Sequence, residues 1–562
     1  MATTEQSQLG IGESKSPDTI NVEVSVSVKR FDRSKRFWAI IATLSVAALL
    51  SSLENSVVTT ALPFIVNQLS LGADYIWVTN VFFLTAAAVQ PLFGQLANIW
   101  GRRSVTLVIV AFFTLGSGIC GGATNGAMLI AGRAVQGVGS GGMNVIVDII
   151  ISDLVPLRER GNYIAIVLAV YSVGVALGPW IGGVIVSNTS WRWVFYINLP
   201  VGGATLIMTY LFLRVNYNEE MALPERLRRI DYGGNVLIIG STVSVLYALT
   251  YAGNLLPWSS PRVIAPLAIG LAGFVVFFWY ENTPSLQDPV LPTRLFATRT
   301  STIVFTTTFL NSAILYWMIF FLPVYFQAVL GSSPARAGVQ LLPAVLVSIP
   351  GAIVAVILLS RFGRYKPLHL LGFAIQTLGL GLCILLDENS STAEWVLSQG
   401  VGALGSGFVL NTLLPAAQAQ MSEADQAATT AAWSFTRSFG SIWGVAIPAA
   451  IFANRFNELA SNGGITDPAV RAEFEGGDGA YMHALAELVN SFSEPSRTEI
   501  ISVYSRALKL VWQAGVAFSG LSFLLVFLEK EVKLRKELET EYGLEPEQEA
   551  GKGNVKMAKE FK

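Results

Sequence analysis

The chain of 562 residues is 52% hydrophobic and only 13% charged, whereas soluble domains carry about 25% charged residues. This composition excludes an ordinary soluble protein and indicates a polytopic membrane protein. The formal net charge of −1 gives no reason to expect a nucleic-acid partner. The two cysteines, Cys120 and Cys383, lie in separate apolar runs. A disulfide framework therefore has no support, and each thiol is expected to be a small buried hydrophobe.

The two ends of the chain are polar. Residues 1–36 are rich in Ser, Thr, Glu and Lys and end in a basic cluster. They contain no short apolar core of the kind that a cleavable signal peptide requires. Residues 529–562 are again charged. We expect both segments to be cytosolic tails, the first of them disordered.

Between these ends the sequence contains about fourteen apolar runs near 20 residues long, the length that crosses roughly 30 Å of hydrocarbon as a helix. An even number of spans places both chain ends on one side of the membrane. A polar segment, 454–505, separates the last two runs and is expected to be an outer loop. The runs cover residues 37–66, 75–97, 104–123, 126–152, 162–186, 193–213, 232–252, 263–280, 300–329, 336–360, 367–386, 395–420, 425–453 and 507–528.

Basic residues in the short loops set the predicted orientation. Arginine and lysine accumulate on alternate loops that share a face with the basic N-terminal segment, and the opposite short loops hold only Arg192, Arg262 and Arg336. Both ends are therefore predicted to be cytosolic. Two sequons, at Asn188 and Asn389, fall on the other face and are candidate glycosylation sites.

Three glycine-containing stretches distinguish the N-terminal half. The loop after the second run reads GQLANIWGRR (94–103), in which the arginine pair can bind carboxylates or lipid phosphates. The fourth run contains GRAVQGVGSGG (132–142). The fifth contains YSVGVALGPWIGGVIV (171–186), whose glycines four apart allow close helix approach and whose proline invites a kink. We assign a conformational role to Gly94, Asn98, Gly101, Arg102, Arg103, Gly174, Gly178, Pro179, Gly182 and Gly183, with plain helix packing as the alternative.

These stretches resemble the signature motifs of the major facilitator superfamily. WRWVFYINLPVGG (191–203) and FLPVYFQAVLGSSPARAGVQLLP (321–343) are similar to its fourteen-span drug:proton antiporters, especially fungal exporters. The resemblance implies an all-α membrane fold of two six-helix bundles, at 37–213 and 300–528. It also implies two extra central spans within the segment 214–299. Asn98 stands where the superfamily usually carries an acidic residue, and the motif in the fifth run is typical of antiporters.

Two ionisable residues within the spans are candidates for proton coupling. Glu54 is the only acidic residue in the middle of the first run, and Arg133 lies about two turns into the fourth. Such residues cost about 2.5–3.5 kcal/mol at the centre of a bilayer, so each needs a partner or a function. The resemblance implies that their helices are neighbours. We predict that Glu54 carries a proton in competition with Arg133 or substrate; the alternative is a fixed ion pair that orients two helices.

Asp148 lies about 22 Å beyond Arg133 along a helix. It is expected at the cytosolic end of the fourth span, paired with Arg102 or Arg103. The resemblance implies that such a pair acts as a conformational latch, and a structural pair is the alternative. In the second bundle, Arg437 is expected to hold Glu423 or Asp425.

Uncharged polar and aromatic side chains within the spans are candidates for the lining of a central cavity. Such a lining suits an amphipathic or aromatic organic molecule, because apart from Arg133 no basic residue is clearly deep in a span. Helix packing is the alternative role of each. The candidates are Asn55, Gln90, Asn144, Asn311, Trp317, Tyr325, Gln340 and Asn411.

The sequence therefore predicts a transporter in the lipid bilayer and not an enzyme. It contains no phosphate-cradling Gly-Lys-Ser/Thr loop, and neither histidine lies in a metal-ligand cluster. We expect a monomer in the plasma or vacuolar membrane that exports drugs, toxins or a secondary metabolite, uses the proton gradient and needs no cofactor. One alternative is uptake or vacuolar transport of a defined solute, such as a basic amino acid or a siderophore. Another is a non-transporting sensor or scaffold.

Overall fold

The computed structural model describes residues 33–69, 71, 75–214, 222–252, 256–283, 286, 288–422, 425–474, 481 and 483–534. The predictions for both tails beyond these limits, and for Glu423, lie outside the described residues. The described chain is built from helices, so the prediction of an all-α fold is confirmed.

The first bundle contains one sharply bent span. It breaks between α2 and α3, which meet at 44°, because Pro91 at the start of α3 has no N–H to continue the preceding hydrogen-bond ladder. The helices are α1 (Lys35–Leu69), α2 (Tyr75–Ala88), α3 (Gln90–Trp100), α4 (Arg102–Gly121), α5 (Gly126–Leu154), α6 (Arg160–Asn188), α7 (Trp193–Tyr196) and α8 (Asn198–Phe212).

Two long helices lie where the extra central spans are predicted. A short helix, α9 (Leu223–Arg228), precedes them, and α10 (Tyr232–Tyr251) and α11 (Pro261–Glu281) pack against each other. The Trp77 indole of α2 donates a hydrogen bond to the Tyr251 hydroxyl over 2.8 Å. The pair is thus attached to the first bundle through α10.

The second bundle begins after a short 3₁₀ helix, Thr293–Phe296. Its first span, α12 (Arg299–Val324), continues into a π-helical turn, Tyr325–Val329. The other helices are α13 (Pro334–Gln340), α14 (Leu342–Phe362), α15 (Lys366–Cys383), α16 (Thr392–Leu410), α17 (Leu413–Gln418), α18 (Gln426–Leu459), α19 (Pro468–Phe474), α20 (Ala486–Ser491) and α21 (Ser496–Phe527).

The number of membrane-crossing helices is consistent with the fourteen predicted. Among the described residues, eleven helices are long and apolar enough to cross, and the bent α2–α3 pair makes a twelfth. The helices α15 and α18 are of similar length and carry more polar residues, yet they pack among the other spans.

The segment 454–505 is more structured than an outer loop. The helix α18 continues to Leu459, and α21 already begins at Ser496 rather than near residue 507. Both extensions are anchored by buried rings, because Phe456 packs on Tyr504 with 4.8 Å between ring centroids and on Phe474 with 5.7 Å. The hydropathy pattern misses these turns because an amphipathic helix buries only one stripe.

Both described chain ends lie on one side of the protein, which we call the terminal face. Arg33 pairs with Glu159 at the start of α6 over 2.8 Å. Arg158 donates hydrogen bonds to two of the last carbonyls of α14. Lys366, at the start of α15, donates to the Phe527 carbonyl over 3.0 Å. These contacts connect the start of α1 to the end of α21 across one surface.

The residues after α21, 528–534, form a strap along the terminal face. Glu529 and His369 are both fully buried, with 3.0 Å between Oε2 and Nδ1. The Tyr365 hydroxyl donates to the Lys530 carbonyl over 2.7 Å. Leu534 is buried in the apolar cluster around α14 and α15. The strap therefore holds helix ends of the second bundle together.

Candidate functional site

A buried polar network surrounds Glu54 in the middle of the first bundle. The Arg133 Nη1 donates to Glu54 Oε1 over 2.5 Å and to Gln136 Oε1 over 2.7 Å. The exposed fraction of the Glu54 side chain is 0% and that of Arg133 is 2%. The Nε of Arg133 also donates to the Val78 carbonyl over 2.9 Å. The structure thus places the two proton-coupling candidates in direct contact between α1 and α5.

Glycines explain how a helix can carry a guanidinium into this packed interior. A Cβ added at Gly137 would clash with Thr85 and with the Phe82 carbonyl of α2, and one at Gly139 would clash with the backbone of Phe113 in α4. Both glycines belong to the GRAVQGVGSGG stretch. Because they allow close backbone approach, the Arg133 guanidinium reaches α2 and lies 4.2 Å from the centroid of the Phe82 ring.

The sequence reading did not assign a role to three members of the network. Asn198, the first residue of α8, donates to Glu54 Oε2 over 2.5 Å. Gln136 donates to the Ser117 hydroxyl over 2.8 Å. Asn198 and Gln136 lie inside the stretches 191–203 and 132–142, which resemble family motifs. Their polar side chains within apolar runs could have marked them as members of a buried network. Ser117, on α4, had no such signal.

The glycine face of α6 packs against α1 close to this network. A Cβ at Gly174 would clash with Ser52, and one at Gly178 would clash with Ser56. The Ser56 hydroxyl donates to the Gly174 carbonyl over 3.2 Å. These two glycines therefore set the approach of α1 and α6.

The rest of the motif is placed differently. Gly182 is buried. Gly183 is exposed, and a Cβ added there would meet no atom within 4 Å, so it does not belong to the packing face. Gly174, Gly178 and Gly182 are four residues apart and share one side of the helix. Gly183 lies one residue, or 100°, further around the helix, so the prediction was wrong to include it in that packing face. Pro179 lies in α6 at a position whose side chain is outside the described residues.

The arginine pair at the start of α4 binds partners other than Asp148. Arg102 Nε donates to Asp153 Oδ2 over 2.7 Å, and both side chains are buried. Arg103 donates to the Tyr210 carbonyl over 2.6 Å. Gly101 has a φ of 78°, which favours glycine in this tight turn. Asn98 is half-buried in α3.

The predicted pairing of Asp148 with this arginine pair is therefore wrong. The helix α5 extends to Leu154, which leaves Asp148 about 9 Å inside its end. Asp153, one residue from that end, takes the position that the prediction gave to Asp148. The cation that acts on Asp148 is Arg437 of the second bundle.

The predicted pairing of Arg437 with Asp425 is also wrong. Arg437 lies about three turns into α18, too far from Asp425 at the start of that helix. Asp425 instead binds Arg294 of the short 3₁₀ helix over 2.7 Å. Burial raises the pKa of Asp425, but hydrogen bonds from Arg294 and Ser422 outweigh it and hold the pKa below its usual value.

The described hydrogen bonds between the two bundles all lie between the middle of the spans and the terminal face. Gln90 of α3 donates to Ser438 of α18 over 3.0 Å. Arg160 of α6 donates to Gln418 and Gln426, over 2.8 Å in each case. The bonds from Arg158 to α14 and from Gln418 to Ser152 belong to the same region. The terminal face is therefore the closed side of this structure.

Close backbone packing reinforces this closure. A Cβ at Gly94 of α3 would clash with Ala431 of α18, and one at Gly161 of α6 would be tight against Val356 of α14. Gly94 belongs to the loop stretch 94–103, and its contact with Ala431 explains why a side chain is excluded there.

The cavity candidates separate into two groups. Gln90, through Ser438, lies between the bundles, and Asn144 lies one helical turn before Asp148 on α5. Asn55, next to Glu54, is half-buried. The remaining candidates are buried among helices of the second bundle.

In this structure the second group makes its contacts within the second bundle, as the helix-packing alternative expects, and its cavity role stays a prediction. The Asn311 amide oxygen accepts from Gln376 over 3.1 Å, and the Tyr325 hydroxyl donates to the Asp387 carbonyl over 2.9 Å. The backbone of Gln340 accepts from Gln399 over 2.8 Å. Trp317 is fully buried against Phe518, and Asn411 is buried where α16 ends. Polarity within a span does not reveal which face a helix turns toward a cavity, so sequence could not separate these groups.

The sequon residues are accessible. Asn188 and Asn389 are both exposed, at the end of α6 and in the turn between α15 and α16. Both lie on the side opposite the terminal face, since α6 starts at that face and α15 starts there as well. Their modification stays a prediction.

A profile described as Major Facilitator Superfamily matches residues 44–445. The chain belongs to this superfamily. It is 53% identical over 510 residues to the MFS-type transporter TwmF of Talaromyces wortmannii, which covers 91% of this chain and 93% of that protein. It is 44% identical over 517 residues to the efflux pump FUS6 of Gibberella fujikuroi, with 92% and 93% covered. As a member of a transporter superfamily, the protein is not an enzyme.

A solved structure supports the same fold. The proton:xylose symporter XylE superposes with a TM-score of 0.54 at 13% identity, covering 89% of this chain and 97% of that chain. At this identity the likeness concerns the arrangement of helices alone. The expected major facilitator fold is therefore confirmed. Membership of the superfamily, together with the long apolar helices, confirms a multi-pass membrane protein.

Proposed function

We propose that this protein is a proton-coupled exporter of amphipathic organic molecules and that Glu54 carries the proton. The observation that carries the proposal is the buried Glu54 carboxylate, held by Arg133 and Asn198 without access to bulk water in this state. Export is supported by relatives of high coverage that are named efflux pumps. Polar groups buried in a span at this cost need a function beyond packing.

The network relates the charge of Glu54 to the packing of three helices. Protonation of Glu54 would remove its charge-assisted bonds to Arg133 of α5 and Asn198 of α8. Arg133 would keep its bonds to Val78 and Gln136, so α1 is the element that is released. Because α1 packs through Ser52 and Ser56 on the glycine face of α6, a shift of α1 changes the helix whose first residue, Arg160, closes the terminal face.

We place both chain ends in the cytosol, with the protein a monomer in the plasma membrane. The terminal face then faces the cytosol, and this structure corresponds to a state closed on the cytosolic side. In alternating access, rocking of one bundle against the other would break the bonds of Arg158 and Arg160 and open that side to substrate.

The experiment uses inside-out vesicles from cells that express the full chain, with an imposed pH gradient. The probes are three fluorescent amphiphiles that share one ring system: pyrenebutyrate, pyrenebutyramide and pyrenebutylammonium. Wild type should accumulate at least one of them when the gradient is present, and E54Q should not. E54D, which keeps the carboxylate, should retain part of the rate, and R336Q, at an exposed arginine, should behave as wild type. Equal gradient-driven accumulation by E54Q and wild type would contradict the proposal.

A further inference from the structure

Asp148 and Arg437 form a second charged group within the spans, separate from the Glu54 network. Asp148 belongs to α5 of the first bundle and is 8% exposed, while Arg437 belongs to α18 of the second bundle and is half-buried. The helices α5 and α18 pack against each other, and the two charges act on each other across this interface between the bundles.

Arg437 differs from Arg133 in how its donors are used. The guanidinium of Arg437 lies 4.7 Å from the centroid of the Trp433 ring, and among the described residues none accepts a hydrogen bond from it. Arg133, in contrast, donates to Val78, Glu54 and Gln136. A guanidinium carries five N–H donors in a planar fork and no acceptor, which suits it to bind an anion. The half-buried Arg437 therefore has donors that no acceptor among the described residues occupies in this state.

Two further donors lie on the same side of α18. The Trp433 indole N–H and the Ser434 hydroxyl are buried and have no hydrogen-bond partner among the described residues. These positions are four and three residues before Arg437, so each side chain lies about one helical turn from Arg437 and is its neighbour on the helix surface. The Tyr316 hydroxyl of α12 interacts electrostatically with Arg437 and with the Tyr171 hydroxyl of α6. The Arg437 guanidinium and the Trp433 indole can only donate, and Asp148 of α5 is a carboxylate on which Arg437 acts.

We propose that this group, Asp148 with Trp433, Ser434 and Arg437, binds the anionic head group of an amphipathic substrate, such as a carboxylate, sulfonate or enolate. The substrate anion takes the N–H groups of Arg437, and Asp148 is the internal anion that it displaces. The aromatic rings of Trp433, Tyr171 and Tyr316 contact the apolar body. The inference rests on the proposed export function and adds the charge class of its substrate.

Displacement of Asp148 would also act on the bundles. The attraction between Asp148 and Arg437 joins α5 to α18, and a substrate anion that neutralises Arg437 removes that attraction. A ligand shifts a conformational equilibrium only by its different affinity for the two states. An anionic substrate would therefore favour the state in which α5 and α18 are further apart.

The test measures binding to the purified full chain in lipid nanodiscs, with no gradient present. The probes are again pyrenebutyrate, pyrenebutyramide and pyrenebutylammonium, followed by quenching of tryptophan fluorescence. Wild type should bind the carboxylate about tenfold more tightly than the amide, because charge-assisted hydrogen bonds are about twice as strong as neutral ones. R437Q should lose this preference, and R437K, which keeps the charge but not the planar fork, should retain part of it.

Replacement of Asp148 is expected to change the affinity for the carboxylate probe in the opposite direction from replacement of Arg437. D148N should bind pyrenebutyrate more tightly than wild type, since the competing internal anion is gone, and R336Q should not differ from wild type. Equal binding of the three probes by wild type, preference for the ammonium, or weaker carboxylate binding by D148N would overturn the proposal. The binding test uses no gradient and does not involve Glu54. If E54Q transports like wild type in vesicles, the proposed proton carrier fails, but the binding result for Arg437 and Asp148 still stands.

Discussion

Asn198 donates a hydrogen bond to Oε2 of Glu54, with 2.5 Å between the two atoms, while Arg133 holds Oε1 at the same distance. Each carboxylate oxygen therefore accepts a bond from a different helix, one from α8 and one from α5. Its position is fixed by bonds that exist in full only while it is ionised, because a carboxylate accepts from donors more strongly than a carboxylic acid does.

Replacement of Asn198 tests the value of this bond. N198A should reduce the free energy of unfolding by about 1–3 kcal/mol, because a buried charged acceptor loses one of its donors. The measurement is chemical denaturation in mild detergent. In the E54Q background the same change should cost less, since the acceptor is then neutral. If N198A is as stable as wild type, and N198A/E54Q is as stable as E54Q, the bond from Asn198 to Glu54 contributes nothing to stability.

Arg158 is expected to control the opening of the terminal face. It donates to the Ser360 and Arg361 carbonyls at the C-terminal end of α14, where carbonyls lack helical partners and a cation is favoured. R158Q should raise the population of open molecules by about threefold to fivefold, the equivalent of up to about 1 kcal/mol.

Spin labels can report this opening. The labels are placed at S104C and R364C, two exposed positions on the terminal face of opposite bundles, and the native cysteines are buried. Electron–electron resonance should show a larger fraction of long distances in R158Q. The control R299Q, at an exposed arginine of the same face, should match wild type. An R158Q distribution identical to that of wild type would remove Arg158 from the closure.

The Arg294–Asp425 pair gives a pH dependence of stability. Because the pKa of Asp425 is below its usual value in the folded protein, the pair contributes stability above the unfolded pKa of about 3.9. This contribution is lost as the pH falls through the lower folded pKa. Arg294 is largely exposed, so R294Q should cost no more than about 1 kcal/mol.

The expected profile is flat across the working range. The difference in unfolding free energy between wild type and R294Q should be constant from pH 8 to pH 5 and shrink below about pH 4. Chemical denaturation at a series of pH values measures it. A difference that varies between pH 8 and pH 5 would mean that another group sets the pH dependence.

The strap after the last span should be required for the stability of the second bundle. Loss of a hydrogen bond that leaves a buried polar group without its partner costs about 1–3 kcal/mol, so E529A, which leaves His369 Nδ1 buried without its carboxylate, should lower stability by that order. K533Q, at an exposed strap residue, should have no effect. Thermal unfolding of the detergent-solubilised protein compares them, and equal midpoints for E529A and K533Q would count against the strap.

Much of the architecture could be predicted from the sequence because length and apolarity determine a span. The fold followed from the motifs in the first bundle, and Glu54 and Arg133 stood out because ionised groups are rare at that depth. The sequence did not predict how far along its helix a residue lies or toward which side of the helix its side chain points. Asp148 and Asp153 differ by five residues of one helix, and only its observed end at Leu154 decides which of them meets Arg102. Trp317 and Tyr325 were assigned to a cavity because their chemistry suits one, yet packing turns both into the second bundle.

Counterflow across proteoliposomes tests the central claim most directly, because it separates proton carriage by Glu54 from a fixed ion pair. Proteoliposomes loaded with an excess of one unlabelled pyrene probe are placed in the same probe with an isotope label, once without and once with a pH gradient. A proton carrier predicts that E54Q still exchanges labelled for unlabelled probe but no longer accumulates it in response to the gradient. Loss of both activities in correctly folded E54Q, or retention of both, would contradict the role of Glu54 as the proton carrier.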